Sequence, residues 1–265
     1  MNVATFGLGA LDEQLWQLLF LSIRCGAAFL AAPMITGLSV PVSLRALFAL
    51  ALGVFVALYV PPASMPDMMS FDAITALVQE VVIGTALGLV LQIAFAIPLI
   101  AAEQIAGTMG LAIATSIDPS SGAQSGAIGT FFGLMLTLLF YAIGGHLLWF
   151  RLLIESYRLL PAGGFGFSPD AAQSLVMFMG YAFATAAAIA LPVVLILLIV
   201  QLVTGVISRS APALNLFALG LPAGTLAGLT GLIVVMPIIF EQFTSLIETA
   251  LREAGLLVSL SGVPA

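Results

Sequence analysis

The sequence contains no lysine, a single cysteine and a single histidine, and its basic charge is limited to six arginines. With no basic stripe and a net charge of −6, it offers nothing that would hold a nucleic-acid backbone. Cys25 has no second cysteine to bridge, so an internal disulfide framework is excluded. Cys25 and His146 together are too few ligands for a zinc or haem centre. Charge of either sign is scarce: charged residues make up 7% of the chain, against about 25% in soluble domains. The first charges are Asp12 and Glu13, so the basic start of a cleaved signal peptide is missing and the N-terminal segment is expected to remain as the first membrane segment.

What is present in quantity is apolar: 62% of the 265 residues, with a mean hydropathy of +1.24. Too few polar groups remain to coat a soluble particle, so an integral membrane protein is expected. Uncharged intervals run over 25–44, 46–66, 81–102, 119–150, 171–208 and 210–240. They predict helices near 12–32, 41–60, 71–106, 127–160, 170–208 and 213–253, the first carrying Arg24 in its middle. The 170–208 stretch is longer than the roughly 20 residues a span needs, so Pro192 divides it or it runs on into neighbouring protein. Pro98, Pro222 and Pro237 favour bends inside apolar stretches, which points to bent hairpins packed in an assembly. Residues 60–70 and 161–169 read as linkers, with Ser168 or Asp170 capping the following helix. The arginines give conflicting signs of orientation, which stays open.

The segment 107–126, GTMGLAIATSIDPSSGAQSG, is too rich in glycine and serine for a stable helix and too apolar for an ordinary solvated loop. Two readings stand: a re-entrant loop lining or plugging a pore, and a long extramembrane connection. Glu103 precedes it and Asp118 lies within it, while Arg209 is the matching cation. Arg209 either neutralises one of these carboxylates, or one on a neighbouring subunit, or marks a turn at headgroup level. Trp149, Arg151, Tyr157 and Arg158 read as an interfacial belt. Gly84 with Gly88, and Gly129 with Gly133, read as small-residue helix contacts. His146 is either a packing residue or a proton carrier. No nucleophile elbow, phosphate loop or zinc-protease motif is present, so no enzyme and no cofactor is expected.

The run from Glu103 through Gly107, Met109 and Gly110 to Asp118-Pro119 resembles a signature of the FliR family of flagellar export proteins. The run from Arg209 through Pro212, Asn215, Phe217 and Gly220 to Pro222 resembles a second. Gly145-His146-Leu147 and the turn Leu160-Pro161 to Gly163-Gly164 also match, so the resemblance covers nearly the whole chain in order. Thr108 departs from a common glutamine and Leu221 from a frequent aromatic, which bears on any role for a loop amide and on packing respectively. Injectisome counterparts share the architecture.

The resemblance implies an all-α polytopic membrane protein of long bent hairpins, arranged helically in a hetero-oligomeric type III export gate. One copy would join five FliP-type and four FliQ-type subunits, with FlhA- and FlhB-type proteins as further partners, and the gate would pass unfolded protein substrates. Residues 1–169 would be FliP-like and 170–265 FliQ-like. Gly107, Met109, Gly110, Leu111, Ile113, Ile117, Asp118 and Pro119 would form a pore plug within 107–126. Glu103, Arg209, Asn215, Phe217, Gly220 and Pro222 would supply buried charge or subunit contacts. The place implied is the bacterial inner membrane at the flagellar basal body, in contact with membrane lipid. A small-molecule secondary transporter is the alternative, since broken helices and scattered ionisable residues also occur there.

Overall fold

A computed structural model describes residues 8–33, 40–60, 70–111, 126–163, 167–210 and 216–261, with the side chains of 8–13 and 216–219 left aside. The described residues are helical throughout, apart from short turns and caps. They form α1 (Leu8–Ala31), α2 (Val42–Tyr59), α3 (Phe71–Thr108), α4 (Ala127–Ala142), α5 (Gly145–Leu159), α6 (Pro169–Ser210) and α7 (Leu216–Ser261). Five of these are long and apolar enough to cross a membrane, and the broken pair α4 and α5 could supply a sixth span. The protein is a polytopic all-α membrane protein.

The expected helix 127–160 is in fact two, interrupted at Ile143-Gly144. Gly144 adopts φ +73, a left-handed conformation that costs glycine little, and there it ends α4 and opens α5. Of the two readings of the 170–208 stretch, division at Pro192 is not what the structure shows. Pro192 lies inside the continuous α6, as Pro98 lies inside α3 and Pro222 and Pro237 inside α7. A proline removes one backbone bond, and the long runs of intact bonds on either side carry the helix through. Ser168 caps α6, its hydroxyl accepting from the Ala171 amide at 3.1 Å.

The chain divides into two compact units, each drawn from separate stretches of sequence. The first comprises 1–93, 144–178 and 249–265. Within it α2 packs on α1 where Gly53 meets Ser22, and the start of α3 packs on α1 where Gly84 and Gly88 meet the α1 backbone. Trp149 of α5 is fully buried; its indole donates to the Leu87 carbonyl at 3.3 Å and Phe29 lies 5.9 Å from it, ring to ring. The second unit comprises 94–143 and 179–248. Its core includes edge-to-face pairs Phe132–Phe243 at 5.6 Å and Phe95–Phe140 at 5.5 Å. Outside these cores the helices keep large apolar side chains exposed, among them Leu58, Leu138, Leu202 and Ile233. A water-facing helix would carry polar groups there, so these faces suit an apolar surrounding and not water.

Candidate functional site

The glycine-rich segment begins later than its composition suggested. Gly107 and Thr108 are still helical, and α3 ends in a capped turn at Met109, Gly110 and Leu111. The Leu111 amide reaches the Ala106 carbonyl at 3.1 Å and the Gly110 amide reaches Gly107 at 3.2 Å, with Gly110 at φ +81. This is the six-to-one and five-to-two bonding of a Schellman cap, which satisfies helix-end carbonyls and favours glycine at the left-handed position.

The second unit holds this helix end from several sides. Gln201 of α6 donates to the Thr108 carbonyl at 2.8 Å. Met109 is buried against Gly224 and Gly228 of α7; a β-carbon on Gly228 would come 2.5 Å from the Met109 side chain. A β-carbon on Gly110 would come 2.6 Å from a Leu221 methyl. Leu221, where an aromatic is frequent in the family signature, thus lies against the turn that ends α3. Glu103 accepts a bond from the Gly126 amide at 3.3 Å, so its carboxylate reaches the residue from which the chain enters α4. The described ends of the segment are therefore fixed, by backbone carbonyls, an amide side chain and a methionine seated over glycines.

A separate polar centre lies in the first unit. Arg24, fully buried in α1, meets Glu80 of α3 through two parallel bonds, Nε to Oε2 at 2.8 Å and Nη2 to Oε1 at 2.9 Å. Nη1 also donates to Ser156 Oγ and Nη2 to the Leu160 carbonyl, each at 3.0 Å, and the guanidinium stacks 4.1 Å from the Tyr157 ring centre. The Tyr157 hydroxyl donates to the Leu21 carbonyl and lies 3.4 Å from Cys25 Sγ. A bidentate pair supported by further hydrogen bonds is the arrangement in which an intramembrane charge is tolerated.

A profile of the family described as bacterial export proteins, family 1, matches residues 15–250. The chain belongs to that family. Similar members include the flagellar biosynthetic protein FliR of Escherichia coli (strain K12), 30% identical over 257 residues that cover 94% of this chain and 97% of that one. The FliR of Bacillus subtilis (strain 168) is 32% identical over 263 residues, 92% of this chain and 95% of that one. That of Pectobacterium carotovorum subsp. carotovorum is 34% identical over 191 residues, 71% and 73% of the two chains.

In this export-family chain the structure brings together some of the residues singled out in the sequence. Gly107, Met109, Gly110 and Leu111 join Glu103 at the end of α3, and Gly220 and Pro222 lie in the first turns of α7. Ile113, Ile117, Asp118, Pro119 and Asn215 fall outside the described residues, as does the side chain of Phe217. Arg209 lies exposed in the last turn of α6 and makes no ion pair with any described residue, Glu103 included. The interfacial belt needs correction: Arg151 and Arg158 are exposed, but Trp149 and Tyr157 are buried, because each uses its polar atom on a neighbouring helix carbonyl. Sequence reasoning missed the charges that do pair, Arg24 and Glu80; the available signal was an arginine amid an apolar segment and a carboxylate just before the uncharged run 81–102.

Proposed function

We propose that this protein is a channel-forming subunit of the flagellar type III export gate in the bacterial inner membrane, required for flagellum assembly. The observation that carries this is kinship along the whole chain: family residues 15–250 and 94% coverage by a FliR protein. The role is one of structure and conduction, not catalysis. Its partners would be FliP- and FliQ-type subunits, with FlhA- and FlhB-type proteins docking on the assembled gate, and its cargo unfolded flagellar proteins. Residues 1–169 would take FliP-like positions in the assembly and 170–265 the FliQ-like position. Exposed apolar faces on α6 and α7 would then be covered by sister subunits.

In this reading 107–126 supplies the pore plug, with Ile113, Ile117, Asp118 and Pro119 on the part that meets the passing chain. Glu103, Arg209, Asn215, Phe217, Gly220 and Pro222 would contribute buried charge or subunit contacts. The anchoring of Met109, Gly110 and Leu111 supports a plug that hangs from a fixed helix end. A small-molecule transporter is not favoured, since the relatives along the full chain are export proteins.

The test is purification of the full chain from membranes with mass measurement of the complex. Recovery with heterologous small membrane subunits in excess over one copy of this chain is expected; recovery alone or as a homodimer overturns the assignment. Removing residues 111–115 from the assembled gate should raise ion leakage, and unchanged conductance would remove the plug role.

A further inference from the structure

Nothing in the export reading uses the Arg24–Glu80 centre, yet four hydrogen bonds hold its guanidinium in the interior of the first unit. Its position is informative. Glu80, Gly84 and Gly88 stand at four-residue intervals along α3. Gly84 lies against the Arg24 carbonyl oxygen and Ala27, and Gly88 lies against the Ala28 carbonyl oxygen and Ala31. Residues 24 and 28 of α1 thus match 84 and 88 of α3, in parallel and in the same four-residue step.

A ladder of glycines facing alanines repeats with the helix turn. Sliding α1 by one turn, about 6 Å at 1.5 Å per residue, would set Ala28 and Ala31 against Gly84, small residues on small again. Gly88 would then pass the end of α1 at Ala31, so the slide keeps one of the two glycine contacts, and the Gly84 contact alone does not choose between the two registers. The charges do. After such a slide the Arg24 guanidinium, which points back toward the N-terminal end of the helix as side chains do, would face the turn at Ala76, and Glu80 would be left buried without a cation. We propose that the Arg24–Glu80 pair fixes the register of α1 on α3, excluding the one-turn slip that the Gly84 contact by itself permits. Ser156 and the Leu160 carbonyl extend the same selection to α5, since the guanidinium can satisfy both only from this position. Fixing register is the best-supported use of a buried ionic group whose net effect on stability is small.

The test uses the full chain, purified from membranes, in a W16F background that leaves Trp149 as the only tryptophan. Phe29 of α1 packs on Trp149, so its emission reports where α1 sits. Arg24→Met and Glu80→Met singly should each lower the amount of folded protein about ten-fold or more, because each leaves one buried charge alone. The double variant R24M/E80M should recover to within about two-fold of the parent, yet show more than one Trp149 emission lifetime as α1 samples two registers. A double variant with a single parental lifetime overturns the proposal. So does a double variant no more abundant than the singles, since the pair would then be needed for stability and not for choice. Both readouts are independent of export, so they fail or succeed separately from the functional assignment.

Discussion

Where two helices approach within backbone contact, the residue that decides is the one without a side chain. A β-carbon on Gly84 would overlap the Arg24 carbonyl oxygen, and a helix backbone cannot swing aside as a flexible side chain can. Gly107, only one helix turn short of the cap, has open space around it. Gly84→Ala should therefore destabilise the chain by about 1–3 kcal/mol through overpacking, while Gly107→Ala should be neutral or stabilise by up to about 1 kcal/mol. Thermal unfolding in detergent distinguishes them, and equal shifts for the two variants would contradict the packing described. At this scale the sequence was readable in part. Gly84 and Gly88 announce a close contact by their spacing. The partner of Arg24 does not, because Glu80 stands 56 residues away and only the packed helices bring it near. Trp149 and Tyr157 misled for a related reason: amphipathic rings suit an interface or a satisfied interior equally well, and only the neighbouring carbonyls at Leu87 and Leu21 settle which.

Helices were the most legible elements, since long uncharged runs bounded by proline and glycine clusters leave few alternatives. What composition could not locate were breaks within them. Prolines inside α3, α6 and α7 interrupt no helix, whereas Gly144, one of three described glycines with positive φ, ends one. The same conformation at Gly110 holds the C-terminal cap of α3. Gly110→Ala forces a β-carbon into the left-handed region and against Leu221; a cost of about 1 kcal/mol should speed amide exchange at Met109–Leu111 roughly five-fold. Hydrogen–deuterium exchange by mass spectrometry checks this, and unchanged protection would mean the cap is not what holds the turn. Ser168→Ala removes the cap of α6 and should cost about 1 kcal/mol, read as a lower melting temperature with the Gly110 turn unaffected.

The whole molecule is built from two units whose residues alternate along the chain, with three helices, α3, α6 and α7, contributing to both. If the continuous α6 is a true span, reporters fused at 164–166 and at 211–215 should lie on opposite sides of the membrane. Reporters on the same side would show that α6 does not cross. The protein should also stay in the pellet after an alkaline carbonate wash, because five helices of spanning length cannot be released by breaking ionic contacts alone. By itself the sequence determined that the chain is helical and lies in a membrane, since 7% charge and long apolar runs allow no other solvent. It also marked the glycine-rich segment after Glu103 and the family signatures around it. Only the tertiary structure decided which scarce charges pair, that α3 runs on to a capped end seated on α7, and which aromatic residues are interior. These depend on which distant residues meet, and in a chain with so few polar groups each such meeting is set by the approach of whole helices and not by local preference.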